Sequence, residues 1–191
     1  MGEFWVFGYG SLMWRPGFAH VETRPARLAG VHRSLCVYSW VHRGTRERPG
    51  LVLGLDHGGT CCGLAFRVER QDRDAVIAYL REREQVTNVY REVVRPVLLD
   101  DGRRVPALAY VVDRRHDQYA GRLDVETQRR FVLSAQGRSG ANVDYVINTA
   151  KRLGELAIAD AALAELADSL AGATALRPDA MARRQAARAK P

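Results

Sequence analysis

The sequence predicts an α+β fold, a small β-barrel flanked by helices. Up to Val112 the chain carries apolar runs that are rich in β-branched and aromatic residues and bounded by turn residues, as is typical of strands. One helical pattern interrupts these strands, and a block of helical patterns follows them. Strands with a single inserted helix, followed by a block of helices, indicate an α+β architecture and not alternating βαβ units.

Six segments are predicted to be strands: residues 4–9, 28–41, 51–55, 62–68, 90–99 and 105–112. The first stops at Gly10, which predicts a turn. We expect residues 56–60, Asp-His-Gly-Gly-Thr, to form a hairpin turn between the third and fourth strands. The clearest hairpin signal is Asp100-Asp101-Gly102, between the last two strands. Antiparallel hairpins that close on themselves would give the barrel.

Four segments are predicted to be helices: residues 72–84, 124–135, 139–153 and 160–170. The first is expected to begin at Asp72 or Asp74, and Ser139 is the expected cap of the third. The third helix carries an apolar stripe of Val143, Val146, Ile147, Ala150 and Leu153. Asp124 and Asp160 are expected to open the second and fourth helices.

The chain has 191 residues and a mass of 21.3 kDa, the size of one ordinary domain with a tail. Its hydrophobic fraction of 47% and charged fraction of 27% are near the globular average, so wholesale disorder is excluded. No apolar stretch approaches the ~18–20 residues of a membrane span, and the first residues lack a signal-peptide pattern. We expect a soluble cytoplasmic protein with a domain at residues 1–172 and a basic, Ala/Arg-rich tail at residues 173–191.

The net charge of +7 is concentrated near the C-terminus, because five basic residues and one acidic residue lie after residue 176. The rest of the chain is only weakly basic. We therefore expect that the domain requires no nucleic acid. The tail is interpreted as a solvated extension, with a weak contact to a polyanion as the alternative.

The three cysteines and five histidines lack the spacing of a metal or redox site. Cys61 and Cys62 are adjacent and cannot readily bridge each other without strain. Together with Cys36 they are interpreted as small, buried hydrophobic residues in a reducing compartment. The sequence therefore predicts no metal site.

A glycine-rich motif, Gly8-Tyr9-Gly10-Ser11-Leu12, follows the first strand. A dinucleotide fingerprint would need glycine at position 13, where the chain has Met13. The motif also lacks the lysine of a P-loop and does not fit the GxSxG elbow of hydrolases. Two interpretations remain: a tight turn whose backbone N–H groups bind a carboxylate or a developing oxyanion, or a plain turn that ends a strand.

Glu84 is the candidate for acid–base chemistry. On the predicted helix it continues the apolar stripe of Ile77 and Leu80, whereas Glu82 points away. Partial burial and the negative end of the helix dipole would both raise its pKa toward neutrality, as a general acid/base requires. The alternative is an ordinary glutamate at a helix end, paired with Arg81 or Arg83.

Three loops carry further candidate residues. Residues 42–50 form a polar loop in which Arg43 either meets a substrate carboxylate or is simply solvated. The loop residue Tyr119 has the same two interpretations. Gly137-Arg-Ser-Gly140 is a common start of a helix, and phosphate binding at that helix N-terminus is the less specific alternative.

Six short motifs occur in order along about residues 4–170. They are Trp5-Val-Phe-Gly-Tyr-Gly-Ser-Leu-Met-Trp14, Val41-His-Arg-Gly44, Arg48-Pro-Gly-Leu-Val52, Tyr79-Leu-Arg-Glu-Arg-Glu84, Tyr119-Ala-Gly121 and Gly137-Arg-Ser-Gly140. No single motif is decisive, but the ordered set is highly specific. It resembles the ChaC-type γ-glutamylcyclotransferases, the glutathione-specific branch of that enzyme family. The resemblance implies the γ-glutamylcyclotransferase-like fold, a small, mixed, mostly antiparallel β-barrel flanked by helices.

The resemblance also implies roles for single residues. Tyr9, Gly10, Ser11 and Leu12 would form the loop that holds the γ-glutamyl group. Glu84, the last residue of the family's Arg-Glu pair, would be the catalytic glutamate.

Three more residues, Arg43, Tyr90 and Tyr119, are expected to contact the substrate. Relatives typically have glycine two residues before Tyr90, where the present chain has Asn88. Because asparagine is the non-glycine residue that best tolerates positive φ, we expect the chain to keep the same path there.

The activity implied by the resemblance is cleavage of glutathione to 5-oxoproline and cysteinylglycine, with Glu84 as general acid/base. The substrate's own α-amine attacks its γ-carbonyl, so no cofactor is expected. The expected partner is the small-molecule substrate, with no membrane and no obligate protein partner. Two alternatives remain: ring closure on other γ-glutamyl amino acids or amines, and a non-catalytic binding or cation-transport regulatory protein.

Overall fold

Five β-strands close into a barrel in this structure, a computed structural model that describes residues 3–175. Packing divides the chain into two compact units. The first contains residues up to Ser39 together with Leu51–Leu123, and it includes nearly all of the barrel. The second contains Trp40–Gly50 and the described residues from Asp124 to Ala175, whose secondary structure is mainly helical.

The barrel strands are β1 (Phe4–Gly8), β2 (Glu22–Ser39), β3 (Gly50–Val68), β4 (Tyr90–Leu99) and β5 (Arg104–Val112). Their order is β1-β3-β2-β4-β5, and β1 closes the barrel by pairing in parallel with β5. The pairings of β1 with β3, β2 with β4 and β4 with β5 are antiparallel. The predicted α+β fold with a mixed, mostly antiparallel barrel is therefore confirmed.

The predicted hairpin between the last two strands is confirmed. Gly102 has φ +87° and donates its amide to the Leu99 carbonyl at 3.1 Å, which reverses the chain. Val97 and Leu99 alternate with exposed residues along β4 and fill the barrel. The helix inserted between β3 and β4, α1 (Arg73–Glu84), begins and ends close to the predicted positions.

The predicted hairpin turn at residues 56–60 is wrong, because β3 runs through it without reversing. Gly58 and Gly59 have φ of +96° and +73°, values that also occur where a strand carries a bulge. The strand stays beside β2, where the His32 Nδ1 lies 3.0 Å from the Gly58 carbonyl oxygen. Two glycines thus bend one long strand, and Asp56 is buried inside it instead of lying in a turn.

The second unit contains α2 (Val125–Ser134), a two-residue hairpin β6–β7, α3 (Asn142–Glu155) and α4 (Ala161–Ala175). The expected cap at Asp124 is confirmed, since its carboxylate accepts the Thr127 amide hydrogen bond at 2.8 Å. Asp160 likewise accepts from the Leu163 amide at 3.2 Å, just before α4.

Ser139 does not cap α3, contrary to the prediction. It lies in the turn between β6 (Gln136–Gly137) and β7 (Gly140–Ala141), and Ala141 is the residue that precedes the helix. The chain folds back at Gly140, which has φ +99°, so the residue that precedes α3 lies two positions later than the predicted cap.

The predicted tail lies mostly outside the described residues, which end at Ala175. Within residues 3–175, helices of the length and apolarity needed to cross a bilayer are absent.

Gly63→Ala is expected to destabilise the protein by about 1–3 kcal/mol, the usual cost of overpacking. A Cβ at Gly63 in β3 would collide with the Gly8 carbonyl oxygen and lie 2.9 Å from the Phe7 ring. Denaturant unfolding measures the loss. As a control, Gly154→Ala places a methyl group in open space within α3, and we expect it to stabilise by about 0.5–1 kcal/mol. Equal midpoints for Gly63→Ala and wild type would contradict this packing argument.

Candidate active site

The predicted turn after β1 is a short loop, residues 9–13. Gly10 precedes a single 3₁₀ turn, Ser11–Met13. Tyr9 and Leu12 are buried in this loop. A Cβ at Gly8 would lie 3.1 Å from the Leu12 Cβ, so glycine lets the loop fold back closely on the end of the strand.

Two arginines from other elements hold the 9–13 loop. Arg33 in β2 donates from Nε to the Tyr9 carbonyl at 2.6 Å. Arg83 in α1 donates from Nη2 to the Ser11 hydroxyl at 2.9 Å. Sequence reasoning missed both roles, because each depends on long-range packing; the Arg-Glu pair at the end of α1 was the available signal for Arg83.

Glu84 is the last residue of α1, and its side chain is only 17% exposed. Burial raises the pKa of Glu84, and the Arg83 guanidinium, whose Nε lies 3.3 Å from Glu84 Oε1, partly opposes that shift. The predicted burial and raised pKa are confirmed, and Glu82 is exposed as expected. A carboxyl group with a raised pKa in a sheltered position suits a residue that accepts a proton and returns it.

An ion pair one turn before Glu84 also connects α1 to the barrel. Arg81 donates two hydrogen bonds to the Glu92 carboxylate, at 2.8 and 2.7 Å. The Tyr110 hydroxyl in β5 donates to the same carboxylate at 3.1 Å. These contacts connect α1 to β4 and β5.

Leu12 and α1 meet in one hydrophobic cluster, whose buried members are Val6, Leu12, Val68, Val76, Leu80, Leu108 and Tyr110. The Tyr110 pKa is raised mainly by burial and by Glu92, and also by the charge of Glu84, which places that carboxylate near the cluster. The structure therefore brings the 9–13 loop and Glu84 to the same side of the barrel.

Tyr90, at the start of β4, packs against this cluster and against a second one formed by Cys36, Val37, Val89 and Val112. Its hydroxyl donates to the Leu53 carbonyl at 2.8 Å. The expected positive φ at Asn88 is confirmed at 59°. The loop before Tyr90 therefore has a left-handed residue at Asn88, as expected.

Tyr119 packs against the second cluster together with Tyr90. Its hydroxyl donates to Asp56 Oδ2 at 2.9 Å, and Arg114 donates to Asp56 Oδ1 at 2.6 Å. Burial opposes ionisation of Asp56, but the hydrogen bonds from Arg114, Tyr119 and the His57 amide outweigh it and keep its pKa below the usual value. Asp56 thus stays charged and accepts the hydrogen bond from the Tyr119 hydroxyl.

Sequence reasoning missed Asp56 and Arg114. Asp56 was assigned to a turn because two glycines follow it closely, whereas it is 6% exposed within β3. The signal that could have found it was an acidic residue at the end of the apolar run 51–55. A charged residue in such a run requires a partner when buried.

Arg43 lies in the second unit, where its Nη1 donates to the Ala141 carbonyl at 3.3 Å and its guanidinium lies 5.4 Å from the centre of the Tyr145 ring. The Gly137 turn packs closely on the backbone of His42 and Gly44. Beside it is an open cleft of about 520 Å³, lined by Trp40, Val41, Gly44, Thr45, Gln136, Gly137 and Arg138. The role of Arg43 in binding substrate stays a prediction.

Of the acidic, histidine and cysteine side chains, Cys36 and Cys61 are buried as predicted, whereas Cys62 is exposed, contrary to the prediction. Among the described residues, no group of three or more of them is placed to hold a metal ion. The groups that the structure does bring together around the barrel are carboxylates, tyrosine hydroxyls and arginines, and these can bind polar groups and move protons.

Comparison with known proteins identifies the family. A family model described as ChaC-like protein matches residues 4–172. The chain is 33% identical over 165 residues to the glutathione-specific gamma-glutamylcyclotransferase of Escherichia coli strain K12, covering 86% of this chain and 71% of the relative. It is 34% identical over 150 residues to glutathione-specific gamma-glutamylcyclotransferase 1 of Homo sapiens, covering 76% of this chain and 68% of the relative.

The fold has a solved counterpart. The crystal structure of a glutathione-specific gamma-glutamyl cyclotransferase from yeast superposes with a TM-score of 0.81 at 20% identity, covering 90% of this chain and 97% of the other. The shared barrel and helices agree with the match of the family model over most of the sequence. The chain therefore belongs to the ChaC-like protein family.

Proposed function

We propose that this protein is a glutathione-specific γ-glutamylcyclotransferase, a lyase that cleaves glutathione to 5-oxoproline and cysteinylglycine. Family membership and the names of the similar proteins support the reaction. The observation that carries the proposal is the sheltered Glu84, with a raised pKa, beside the 9–13 loop.

In the proposed reaction the α-amine of the glutamyl unit attacks its own γ-carbonyl. A new C–N bond closes a five-membered lactam, and the bond to cysteinylglycine breaks. Glu84 removes the proton from the attacking nitrogen and returns it to the leaving amine. Such an oriented intramolecular attack can gain about 7–11 kcal/mol over the same reaction between separate molecules.

A buried carboxyl group suits this proton transfer. The α-ammonium of a peptide has a pKa of roughly 8, far above that of an ordinary glutamate. Burial raises the pKa of Glu84 and so narrows the gap between donor and acceptor. Because the substrate supplies the nucleophile, the proposed reaction uses no cofactor.

The site hydroxyls suggest how the substrate is oriented. Tyr90 and Tyr119 donate their protons to Leu53 and Asp56, so toward a ligand each phenol oxygen acts as an acceptor. We infer that they accept hydrogen bonds from the substrate's ammonium or amide groups. The backbone N–H groups at Gly10 to Leu12 would then hold the α-carboxylate or the developing oxyanion.

The proposed partner is glutathione alone, without a nucleic acid, a membrane or an obligate protein partner. We propose a cytoplasmic location, because three cysteines without a disulfide suit a compartment that keeps thiols reduced.

Purified protein incubated with reduced glutathione is expected to release 5-oxoproline and cysteinylglycine in equal amounts, measured by chromatography. In a mixture with γ-glutamyl-alanine, glutathione should be consumed first. Equal consumption of the two would favour the broader cyclotransferase. Glutathione that binds without any product would favour the non-catalytic protein and overturn the proposal.

A further inference from the structure

The Arg83 guanidinium, near the end of α1, contacts several groups at once. Its Nη1 donates to the carbonyls of Arg15 and Pro16 at 2.7 and 3.2 Å and lies 2.9 Å from the Tyr79 hydroxyl. Nη2 donates to the Ser11 hydroxyl, and Nε lies beside Glu84. One side chain, 21% exposed, therefore contacts the 9–13 loop, the segment after it and the candidate base.

We propose that Arg83 is a positioning residue for the cyclotransferase reaction: it holds the Glu84 carboxylate at a fixed place relative to Ser11 and directs the Ser11 hydroxyl toward the substrate. The proposal rests on the proposed function, in which Glu84 moves the proton and the 9–13 loop holds the γ-glutamyl group. The planar, forked guanidinium presents donors to these two groups in a fixed geometry, whereas a lysine ammonium is a point charge on a flexible stem.

The contact with Ser11 sets the direction of a hydrogen bond. A guanidinium has donors and no acceptor, so the Ser11 oxygen must accept from Arg83. The hydroxyl proton then points elsewhere and donates to an acceptor on the ligand, a carboxylate or a carbonyl oxygen. This polarity is opposite to that of Tyr90 and Tyr119, which act as acceptors toward the ligand. The candidate site thus offers a hydroxyl donor at Ser11 and phenol acceptors at Tyr90 and Tyr119.

The contact with Arg83 affects the pKa of Glu84. Burial raises the pKa of Glu84 and Arg83 lowers it, so the arginine keeps more of the carboxylate in its basic form. From β5, Tyr110 faces Glu84 and is neutral, because burial and Glu92 raise its pKa. The Glu92 charge in β4 is itself paired with Arg81. Loss of Arg83 should therefore move the Glu84 pKa upward.

Residues 15–17, which follow the 9–13 loop, restrict the movement of the Arg83 side chain. Gly17 has φ +75°, and a Cβ there would collide with the Tyr79 hydroxyl. The same hydroxyl contacts Arg83. The chain at residues 15–17 therefore packs directly on α1, and Arg83 is held on several sides instead of moving as a surface side chain does.

Arg83→Gln and Arg83→Lys test the proposal against Arg73→Gln as the matched control. Arg73 lies at the other end of α1, is 55% exposed and pairs with Asp74. We expect Arg83→Gln to lower kcat by about 10- to 100-fold, as for a lost hydrogen bond to a charged group. The acid limb of its kcat/KM profile should move to higher pH. Arg83→Lys should lose kcat but keep the acid limb, and Arg73→Gln should keep both.

The result that would overturn the proposal is an Arg83→Gln variant with the kcat and acid limb of wild type. If Arg83→Gln fails to fold, Arg83→Lys takes its place in the test. A fall in kcat without a shift in its pH profile supports the proposal, and a wild-type kcat overturns it. A carboxyl NMR titration of Glu84, assigned with Glu84→Gln, gives a readout besides activity. An unchanged Glu84 pKa in Arg83→Gln would also overturn the proposal.

The two proposals fail in different ways. Wild-type protein that forms no 5-oxoproline from any γ-glutamyl substrate overturns the proposed function, and the positioning role in catalysis with it. Wild type that is active, with Glu84→Gln inactive and both Arg83 variants unaffected, leaves the function standing and overturns the role of Arg83 alone.

Discussion

Glu84→Gln is expected to lower kcat for glutathione cleavage by about 10²- to 10⁴-fold, the range seen when a general base is removed. Glutamine has nearly the same shape as glutamate but cannot accept the proton of the attacking amine. Its amide also cannot return a proton to cysteinylglycine. Binding of glutathione should change much less than turnover, because the 9–13 loop and the tyrosines remain. The measurement is kcat and KM from the release of 5-oxoproline.

Loss of folding should not explain the loss of activity in Glu84→Gln. Burial raises the pKa of Glu84 in the folded state above its value in the unfolded chain. The folded state therefore binds the proton more tightly, and stability falls as pH rises through the unfolded and then the folded pKa. Glutamine is neutral throughout this range, so the variant should be at least as stable as wild type at neutral pH.

The matched control is Glu82→Gln. Glu82 lies on the same helix but is exposed on the other face, so its loss should leave kcat within about twofold and stability within about 0.5 kcal/mol. An active Glu84→Gln variant would show that another group moves the proton. A Glu84→Gln variant that unfolds at lower denaturant would show that the carboxylate is structural.

Local patterns predicted the elements whose signals are contained in a few neighbouring residues. The hairpin at Asp100–Gly102 follows from turn chemistry alone, and α1 ends at Glu84 because its apolar stripe ends there. The burial of Glu84 followed from its place on that stripe. Positive φ at Asn88 followed from the tolerance of asparagine for the left-handed region.

Two local signals were misleading, for the same physical reason. Gly58 and Gly59 supply positive φ to a bulge as readily as to a turn, and the pairing of β3 with its neighbours decides between them. Ser139 has the chemistry of a helix cap, but Gly140 lets the chain fold back first. In both places tertiary pairing outweighs the local preference.

The arginines of the site could not be read from the sequence. The chain is rich in arginine, and nothing local separates Arg33 and Arg114 from the exposed ones, whereas the only local signal for Arg83 is its place beside Glu84. Their roles depend on partners 24, 72 and 58 residues away. The resemblance to a family indicates Glu84 and the 9–13 loop. The arginines that contact them can be identified only from the folded structure.

The position of Glu84 depends on how α1 is held on the barrel, and Leu80 is the largest fully buried side chain of that helix. It lies one turn before Glu84 on the same face and packs in the cluster that contains Leu12 and Tyr110. We expect Leu80→Ala to reduce the free energy of unfolding by about 2–5 kcal/mol, the cost of lost apolar burial and of the remaining cavity.

Denaturant unfolding measures this loss, and Val86→Ala is the matched control. Val86 is 53% exposed just after the same helix, so its truncation should change stability by less than about 0.5 kcal/mol. Leu80→Met keeps the volume and should cost less than about 1.5 kcal/mol. At a temperature where Leu80→Ala is still folded, kcat should fall, because the end of α1 is less firmly held, but by less than in Glu84→Gln. If Leu80→Ala unfolds at the wild-type midpoint, the cluster does not hold the helix, and the ion pair of Arg81 with Glu92 must do so instead.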